Sequence, residues 1–228
     1  MSTLRLFAES MWISPYVFSS WVALREKGLP FEAVEVSLVE GAHLLPGYRD
    51  ASLTGRVPAL DHDGFHLAES SAIAEYLEEL FPPPGHPALL PSGARQRGRA
   101  RQIMGWLRSD LGALRDERST VTMFYRFALP PLSPAGERDA RKLCRVAEQA
   151  IPVGKDNLFD GWCLADSELA FMLHRLILSG AELPARVRGY AEAQWQRPSV
   201  RSFVEHPRLA AVPDSYWGFS GTPRPPGA

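Results

Sequence analysis

The chain has 228 residues, 45% of them hydrophobic, a length and composition that fit one large domain or two modest ones with a sizeable core. Its formal net charge of -1 argues against a general binder of nucleic acid or anionic membranes, because both usually require a basic excess. The polar first residues and the lack of a long apolar run argue against a secretory signal and a membrane span, so a cytoplasmic protein is expected.

The only two cysteines, Cys144 and Cys163, fall in different predicted segments and lack the spacing of metal ligands. Neither a disulfide framework nor a zinc site is therefore indicated. No bound metal is expected.

The first 40 residues predict a strand, a helix and a second strand. Leu4–Phe7 has the character of a short strand, and Ser14 followed by Pro15 predicts a helix start, because serine is a good N-cap and proline is favoured at the first helical position. Gly28 suits the helix end. Residues 31–38 then alternate apolar and polar side chains, as strands do. This βαβ unit is expected to be right-handed with parallel strands.

A hairpin and a helix are predicted next. Asp61–Gly64 is a turn signal between two short apolar runs, and helical periodicity begins near Ala72 with Ser70 as the predicted N-cap. The Val57–Pro58 peptide bond stands at the head of the first hairpin strand. If this bond is cis, the Val57 backbone is free to pair with an extended peptide-like ligand. We predict that it is cis.

These elements give the order of a thioredoxin-like domain, assigned to residues 1–81, which is followed by a proline-rich linker over 82–93. Strand signals nearly vanish after the linker, so residues 94–228 are predicted to be an all-helical domain. The fold class is thus α/β plus all-α. The predicted helices span residues 95–118, 136–151, 163–178, 184–194 and 198–204. The chain is expected to end in an aromatic cluster followed by disorder.

The helix start at Glu69 and Ser70 offers partners to a ligand that carries both a carboxylate and an ammonium group. It combines unpaired backbone N–H groups and a partial positive charge with a hydroxyl donor and a carboxylate. From the residues alone, simpler interpretations stay open: Ser14 as a mere helix cap, Pro58 as an ordinary trans proline, and Glu69-Ser70 as a helix start without a ligand.

Three motifs occur in a suggestive order: Ser14-Pro15-Tyr16, then Val57-Pro58, then Glu69-Ser70. The later run Cys163–Ala170 looks like a helix-capping motif at the centre of the second domain. With the predicted domain order, the chain resembles the cytosolic glutathione S-transferases, and in particular bacterial members of the serine type. The resemblance covers nearly the whole chain.

The resemblance implies roles for individual residues. The Val57 backbone would pair with the cysteinyl part of glutathione, Glu69 and Ser70 would hold its γ-glutamyl end, and Ser14 would be the catalytic residue whose hydroxyl hydrogen-bonds the thiolate. The implied glutathione-binding set is Ser14, His43, Arg56, Val57, Pro58, Glu69 and Ser70. An electrophile pocket between the two domains would take in Met11, Trp12 and Trp106, although such side chains are more often core.

The activity implied is that of a glutathione transferase acting on small electrophiles, with peroxidase activity toward peroxides as a related reaction, in detoxification or oxidative stress. Glutathione would be a co-substrate, no permanently bound cofactor is implied, and a homodimer is expected. The alternatives are a glutathione-dependent isomerase and a catalytically silent binding or dimerisation module. Three departures matter. Ile13-Ser14-Pro15-Tyr16 lacks the cysteine of dithiol exchange, and Cys163 begins the capping motif, where its thiol accepts hydrogen bonds only weakly. Gly55 stands where some classes have a histidine that contacts the ligand.

Overall fold

A computed structural model describes residues 3–219 of the chain, with side chains to residue 217. Its residues separate into two compact units. The first takes in the residues up to Leu89 together with Pro198–Leu209, and the second takes in Leu90–Arg197 and the residues from Ala210 onward. The disorder predicted for the end of the chain falls on its last residues, and residues 220–228 lie outside the described part.

The first unit is built on a four-stranded mixed sheet of order β2-β1-β3-β4. Strands β1 and β2 are parallel, whereas β3 runs antiparallel to both β1 and β4. This is the thioredoxin-like arrangement that the sequence predicts, and the prediction is confirmed. Its elements are β1 (Leu4–Glu9), α1 (Pro15–Glu26), β2 (Glu32–Val36), a 3-10 turn (Ala42–Leu44), α2 (Pro46–Ser52), β3 (Ala59–His62), β4 (Phe65–Ala68) and α3 (Ser70–Leu80).

Helix α1 follows the local signals closely. Ser14 is its N-cap, Pro15 is its first residue, and Gly28 takes a φ of 66° just after the helix ends. The helix packs against β1 and α3, and also against a later helix, α10 (Pro198–Val204). The Trp21 indole N–H donates to Ser202 Oγ at 2.8 Å. These contacts explain why residues 198–209 belong to the first unit.

A buried ion pair fixes the segment that follows α3. Lys27 Nζ donates to Glu78 Oε2 at 2.6 Å and to the Phe81 carbonyl at 2.8 Å. The same Glu78 oxygen accepts from the Leu89 N–H at 2.9 Å. Because a buried carboxylate and a buried ammonium require such partners, the pair ties residues 81–89 to α1 and α3.

The second unit is helical, as predicted. Its helices are α4 (Ala94–Ser109), α5 (Gly112–Glu117), α6 (Thr120–Tyr125), α7 (Pro134–Ala150), α8 (Leu164–Ile177), α9 (Ala185–Trp195) and the four-residue α11 (Tyr216–Phe219). Helix α8 is the central one: its residues from Leu164 to Leu176 are buried, and it contacts α4, α6, α7 and α9. In the chain's last described stretch, the Trp217 ring contacts that of Phe127 at 5.5 Å between centroids.

The single helix predicted over residues 95–118 is wrong. The chain breaks between α4 and α5, where Leu111 takes a φ of 60°. Asp110 explains the break, since its carboxylate accepts from the Leu111 N–H at 2.7 Å and from the Trp106 indole at 2.9 Å. A side chain that bonds the local backbone competes with helix continuation. Helix α6, which the sequence did not indicate, follows this break.

Over residues 3–219, no helix is both long and apolar enough to cross a membrane. The same residues contain no group of three or more His, Cys, Asp or Glu side chains that could hold a metal ion. Cys144 and Cys163 are both free thiols.

Candidate active site

The strand register brings four segments to one end of the sheet. Glu9, the last residue of β1, lies opposite Val36, the last of β2, while Ala59, the first of β3, lies opposite Ala68, the last of β4. The antiparallel register of β1 and β3 places these two pairs at the same end of the strands. The segments that contain Ser14, His43, Val57-Pro58 and Glu69-Ser70 therefore all leave the sheet at this end.

Ser14 is half-buried at the N-terminus of α1. Its Oγ accepts from the N–H groups of Tyr16 at 3.3 Å and Val17 at 3.2 Å. A serine hydroxyl has two acceptor lone pairs and one hydrogen to donate. With both lone pairs directed at the helix, the hydroxyl hydrogen is left to point away from it. The Ser14 hydroxyl therefore still has its hydrogen to donate to a partner outside the helix.

The loop before Ser14 is held by Glu9, a residue that the sequence analysis did not single out. The Glu9 side chain is buried, and its Oε1 accepts from the N–H of Ile13 and, at 2.7 Å, from the N–H of Ser14. The Trp12 N–H donates to the Glu9 carbonyl at 3.1 Å. Burial raises the pKa of the Glu9 carboxyl to about 7. The only signal in the sequence is an acidic residue at the end of a strand whose other residues, apart from Arg5, are apolar.

Met11 and Trp12, assigned by resemblance to an electrophile pocket, lie in the interior of the first unit. Trp12 is 1% exposed and has a φ of 53°. Its indole donates to Glu35 at 2.7 Å, its ring stacks on His206 at 3.7 Å between centroids, and its carbonyl accepts from Arg208 Nε at 3.0 Å. These contacts attach the loop to β2 on one side and to the segment after α10 on the other.

The Val57–Pro58 peptide bond is cis, which confirms the prediction. Pro58 is buried, Val57 is half-buried and the Arg56 side chain is exposed. The Tyr48 hydroxyl donates to the Arg56 carbonyl at 2.7 Å. Burial raises the pKa of Tyr48, so this hydroxyl keeps its hydrogen at neutral pH. Tyr48 was not foreseen, and it holds the backbone just before Val57.

His43 lies in the 3-10 turn, half-buried, beside the segment that leads to Arg56. The two segments approach at Gly55, where an added Cβ would lie 3.6 Å from the His43 carbonyl oxygen. Gly55 also takes a φ of 64°, a conformation that glycine adopts without cost. His43 and Arg56 are therefore neighbours along the rim of the site.

Glu69 and Ser70 connect β4 to α3, but the predicted cap is wrong by one residue. The helix begins at Ser70 and its N-cap is Glu69, whose carbonyl accepts from the Ile73 N–H at 2.9 Å. Glu69 takes a φ of 69°, which turns the chain into the helix one residue early and leaves its side chain exposed. Such strain in a non-glycine residue is typical of functional sites. Ser70 is buried at the helix start.

Trp106 belongs to the second unit, where it is half-buried on α4. It lines a pocket of about 500 Å³ formed by α4, α7 and Phe159. Ile103 and Val146 contribute apolar surface there, whereas Arg99, Gln102 and Gln149 contribute polar groups.

Two domain models and several known proteins match the chain. The glutathione S-transferase N-terminal domain model matches residues 13–80, and the C-terminal domain model matches residues 94–208. Maleylacetoacetate isomerase of Pseudomonas aeruginosa is 40% identical over 207 residues, which cover 85% of this chain and 91% of that protein. Glutathione S-transferase 3 of Zea mays is 30% identical over 224 residues, which cover 93% and 96% of the two chains.

A crystal structure of a Burkholderia glutathione transferase homolog with bound glutathione is 38% identical to this chain. It superposes with a TM-score of 0.75 over 89% of this chain and 97% of that one. The matches extend through both units, and at these identities they reach beyond fold alone. The chain therefore belongs to the glutathione S-transferase family.

Proposed function

We propose that this chain is a glutathione-dependent enzyme in which the Ser14 hydroxyl donates a hydrogen bond to the thiolate of bound glutathione. The observation that supports this role is the pair of N–H groups, of Tyr16 and Val17, that occupy the acceptor side of Ser14 Oγ. Ser14 acts as a donor to sulfur and not as a nucleophile. Nearby backbone donors are largely committed, since the amides of Ile13 and Ser14 bind Glu9.

The energies are sufficient without a general base. A free cysteine thiol has a pKa of about 8.5, and lowering it by about two units requires roughly 2.7 kcal/mol of preferential stabilisation of the anion. A hydrogen bond to a charged group contributes about 1.5–3 kcal/mol, and a helix N-terminus contributes roughly 0.3–1 kcal/mol. Ser14 at the start of α1 combines both.

The remaining glutathione contacts are assigned to the other segments at this end of the sheet. The Val57 backbone, presented by Pro58, pairs with the cysteinyl part of the tripeptide. Glu69 and Ser70 hold its γ-glutamyl end. His43 and Arg56, which share the rim with Gly55, face its glycyl end, where a carboxylate would meet the Arg56 cation.

Isomerisation is the reaction to test first. This reaction is supported by similarity to the maleylacetoacetate isomerase of Pseudomonas aeruginosa and, over a shorter range, to a maleylpyruvate isomerase of Ralstonia. The thiolate would add to one carbon of an electron-poor double bond, and the electron pair would move onto the conjugated carbonyl. The former carbon–carbon double bond is then a single bond, and rotation about it changes the configuration. Expulsion of the thiolate would restore the double bond and regenerate glutathione unchanged.

Net transfer of glutathione is the second candidate. Similarity to glutathione S-transferase 3 of Zea mays over nearly the full chain supports it. Here the same thiolate attacks an electrophilic carbon and the leaving group departs, or it reduces a peroxide at the expense of a second glutathione. A homodimer, implied by the family resemblance, is testable by light scattering. Retention on immobilised glutathione without turnover of any substrate would instead indicate a binding module.

Ser14→Ala tests the proposed role of the hydroxyl. We expect glutathione affinity to change little, the pKa of the bound thiol to rise by about one to two units, and turnover at pH 7 to fall by roughly 3- to 25-fold, with much of the loss recovered at alkaline pH. The readouts are thiolate absorbance of bound glutathione against pH and rates with maleylacetoacetate, maleylpyruvate, a chlorodinitroarene and an organic hydroperoxide.

Ser20→Ala is a suitable control, because Ser20 lies on the same helix but is buried away from its N-terminus. It should titrate and turn over like the wild type. Superimposable thiolate curves for wild type and Ser14→Ala would show that another group activates the thiol.

Ser70→Ala tests the assignment of the γ-glutamyl end. It removes a hydrogen bond to a charged carboxylate, worth about 1.5–3 kcal/mol, so glutathione affinity should fall by roughly tenfold or more. Ser71→Ala is the matched control, because Ser71 is the next residue on α3 and is exposed. Calorimetric titration measures both. Equal glutathione affinities for the two variants would show that the γ-glutamyl end does not bind at the start of α3.

A further inference from the structure

The Glu9 carboxyl uses its two oxygens differently. Oε1 accepts from two consecutive backbone amides, those of Ile13 and Ser14. Oε2 is buried and has no hydrogen-bond partner among the residues that the structure describes. The whole side chain is only 5% exposed. Buried polar atoms are usually paired, so an unpaired carboxyl oxygen next to a proposed active-site loop calls for an explanation.

The bonds of Oε1 act directly on Ser14. The peptide between Ile13 and Ser14 is attached to the Ser14 Cα, so fixing its N–H fixes the orientation from which the hydroxyl projects. On the other side, the amides of Tyr16 and Val17 hold Ser14 Oγ. Ser14 is thus clamped from both directions, and Glu9 supplies one half of the clamp.

We propose that Glu9 is a positioning residue for Ser14, and that the charge of its carboxyl opposes formation of the glutathione thiolate. This inference rests on the proposed function of Ser14. The neutral carboxyl keeps one oxygen on the two amides and carries its hydrogen on the unpaired Oε2. The ionised carboxyl keeps the same bonds but adds a buried negative charge behind the hydroxyl. The hydrogen bonds that position Ser14 and the charge of the Glu9 carboxyl can therefore be changed independently by substitution.

The groups around Glu9 leave its charge poorly compensated. Burial raises the pKa of its carboxyl to about 7, against the effect of the Ile13 and Ser14 amides and of the Arg208 cation. Arg208 is itself engaged with backbone carbonyls, including that of Trp12. Two other titratable groups contact this loop: Glu35, on β2, and His206, which follows α10, both lie against the Trp12 ring. Glu9 is thus a mixture of charged and neutral forms near neutral pH.

Two variants of the same residue separate the two effects. Glu9→Gln retains an acceptor oxygen for both amides but carries no charge, so the pKa of the bound thiol should fall by roughly one unit. Glu9→Leu lacks both the charge and the acceptor, so Ser14 loses the hydrogen bonds of Glu9 and the pKa of the bound thiol should lie above that of Glu9→Gln. Glu32→Gln, which neutralises an exposed carboxylate on the adjacent strand β2, is the control and should match the wild type.

The experiment follows thiolate absorbance of bound glutathione and turnover against pH in all four proteins, after circular dichroism has shown that each is folded. A thiol pKa that is lower in Glu9→Gln than in the wild type, and higher in Glu9→Leu than in Glu9→Gln, supports the proposal. An unshifted thiol pKa in Glu9→Gln overturns the effect of the charge, and equal thiol pKa values in the two variants overturn the positioning role. If Ser14→Ala also leaves the thiol titration unchanged, the proposed function itself has failed. If Ser14→Ala raises the thiol pKa while the Glu9 variants do not diverge, only this inference has failed.

A measurement without glutathione tests the clamp directly and keeps the proposal falsifiable if Glu9→Leu does not fold. The amide resonances of Ile13 and Ser14 should titrate together with a midpoint near pH 7 in the wild type, following the Glu9 carboxyl. In Glu9→Gln, both should be flat over the same range. Amides that do not titrate in the wild type, or that titrate equally in Glu9→Gln, would overturn the proposal.

Discussion

Replacing Asp166 with alanine is expected to lower the free energy of unfolding by about 3–5 kcal/mol, the usual cost of leaving partners of a buried charge unpaired. Asp166 is fully buried near the start of α8. Its Oδ1 accepts from the Leu158 N–H at 2.7 Å and from the Tyr190 hydroxyl at 2.8 Å, while Oδ2 accepts from the Cys163 N–H at 2.8 Å. Alanine would leave these three buried donors without an acceptor.

The position of Asp166 explains why the effect should reach beyond one helix. The carboxylate joins the segment at Leu158, the start of α8 and, through Tyr190, helix α9. The Cys163 thiol, which accepts hydrogen bonds only weakly, accepts from the Asp166 N–H in return, so both halves of a capping box are present. Burial raises the pKa of Asp166 while its hydrogen-bond donors oppose the rise. The reciprocal half of a capping box is thus supplied by Asp166 even though Cys163 lacks a hydroxyl.

Urea unfolding of Asp166→Ala and two further variants measures what the Asp166 carboxylate contributes to the free energy of unfolding. Asp156→Ala removes an exposed carboxylate from the same segment and should change stability by no more than about 0.5 kcal/mol. Tyr190→Phe removes a single donor and should cost about 1 kcal/mol, because the carboxylate keeps its backbone partners. If Asp166→Ala were no more harmful than Tyr190→Phe, the backbone donors would have found water or other acceptors.

The sequence predicted best those features whose cause is local. The Ser14-Pro15 helix start needs only adjacent residues, and the hairpin needs a turn motif between two apolar runs. Both occur as expected. Helix α10 was also found by its pattern, but its place beside α1 was not. That place depends on contacts such as Trp21 with Ser202, which no local pattern reveals.

The candidate site shows the same division. The resemblance nominated Ser14, Val57 and Ser70, whereas Glu9 and Tyr48 were not among the residues that it suggested. Both missed residues act on the backbone of another segment: Glu9 on the amides before Ser14, and Tyr48 on the Arg56 carbonyl. Their side chains carry no sequence signal of that role. The α4 break was missed for a related reason, because the bonds of Asp110 that end the helix compete with apolar periodicity that continues across it.

His174 is expected to make the folded protein unstable toward acid. The ring is buried on α8, its Nδ1 lies 2.8 Å from the Ala170 carbonyl, and it stacks on Trp195 at 3.8 Å between centroids. Burial lowers its pKa to about 4, from an ordinary value of 6.5. The unfolded chain therefore binds a proton below about pH 6.5 that the folded protein resists. The stabilisation is complete above pH 6.5 and is lost as the pH falls toward 4.

Between pH 7 and pH 5, the free energy of unfolding should fall by about 2 kcal/mol because of His174. The full pKa difference limits this loss to about 3 kcal/mol. His174→Phe keeps an aromatic ring against Trp195 but cannot titrate, so its stability relative to the wild type should rise by that amount over the same range. His66→Gln is the control, because it removes an exposed imidazole on β4 instead of a buried one. Urea unfolding of the three proteins at pH 5, 6 and 7 gives the comparison. Parallel pH profiles for wild type and His174→Phe would mean that the ring is protonated as readily in the folded state as in the unfolded chain.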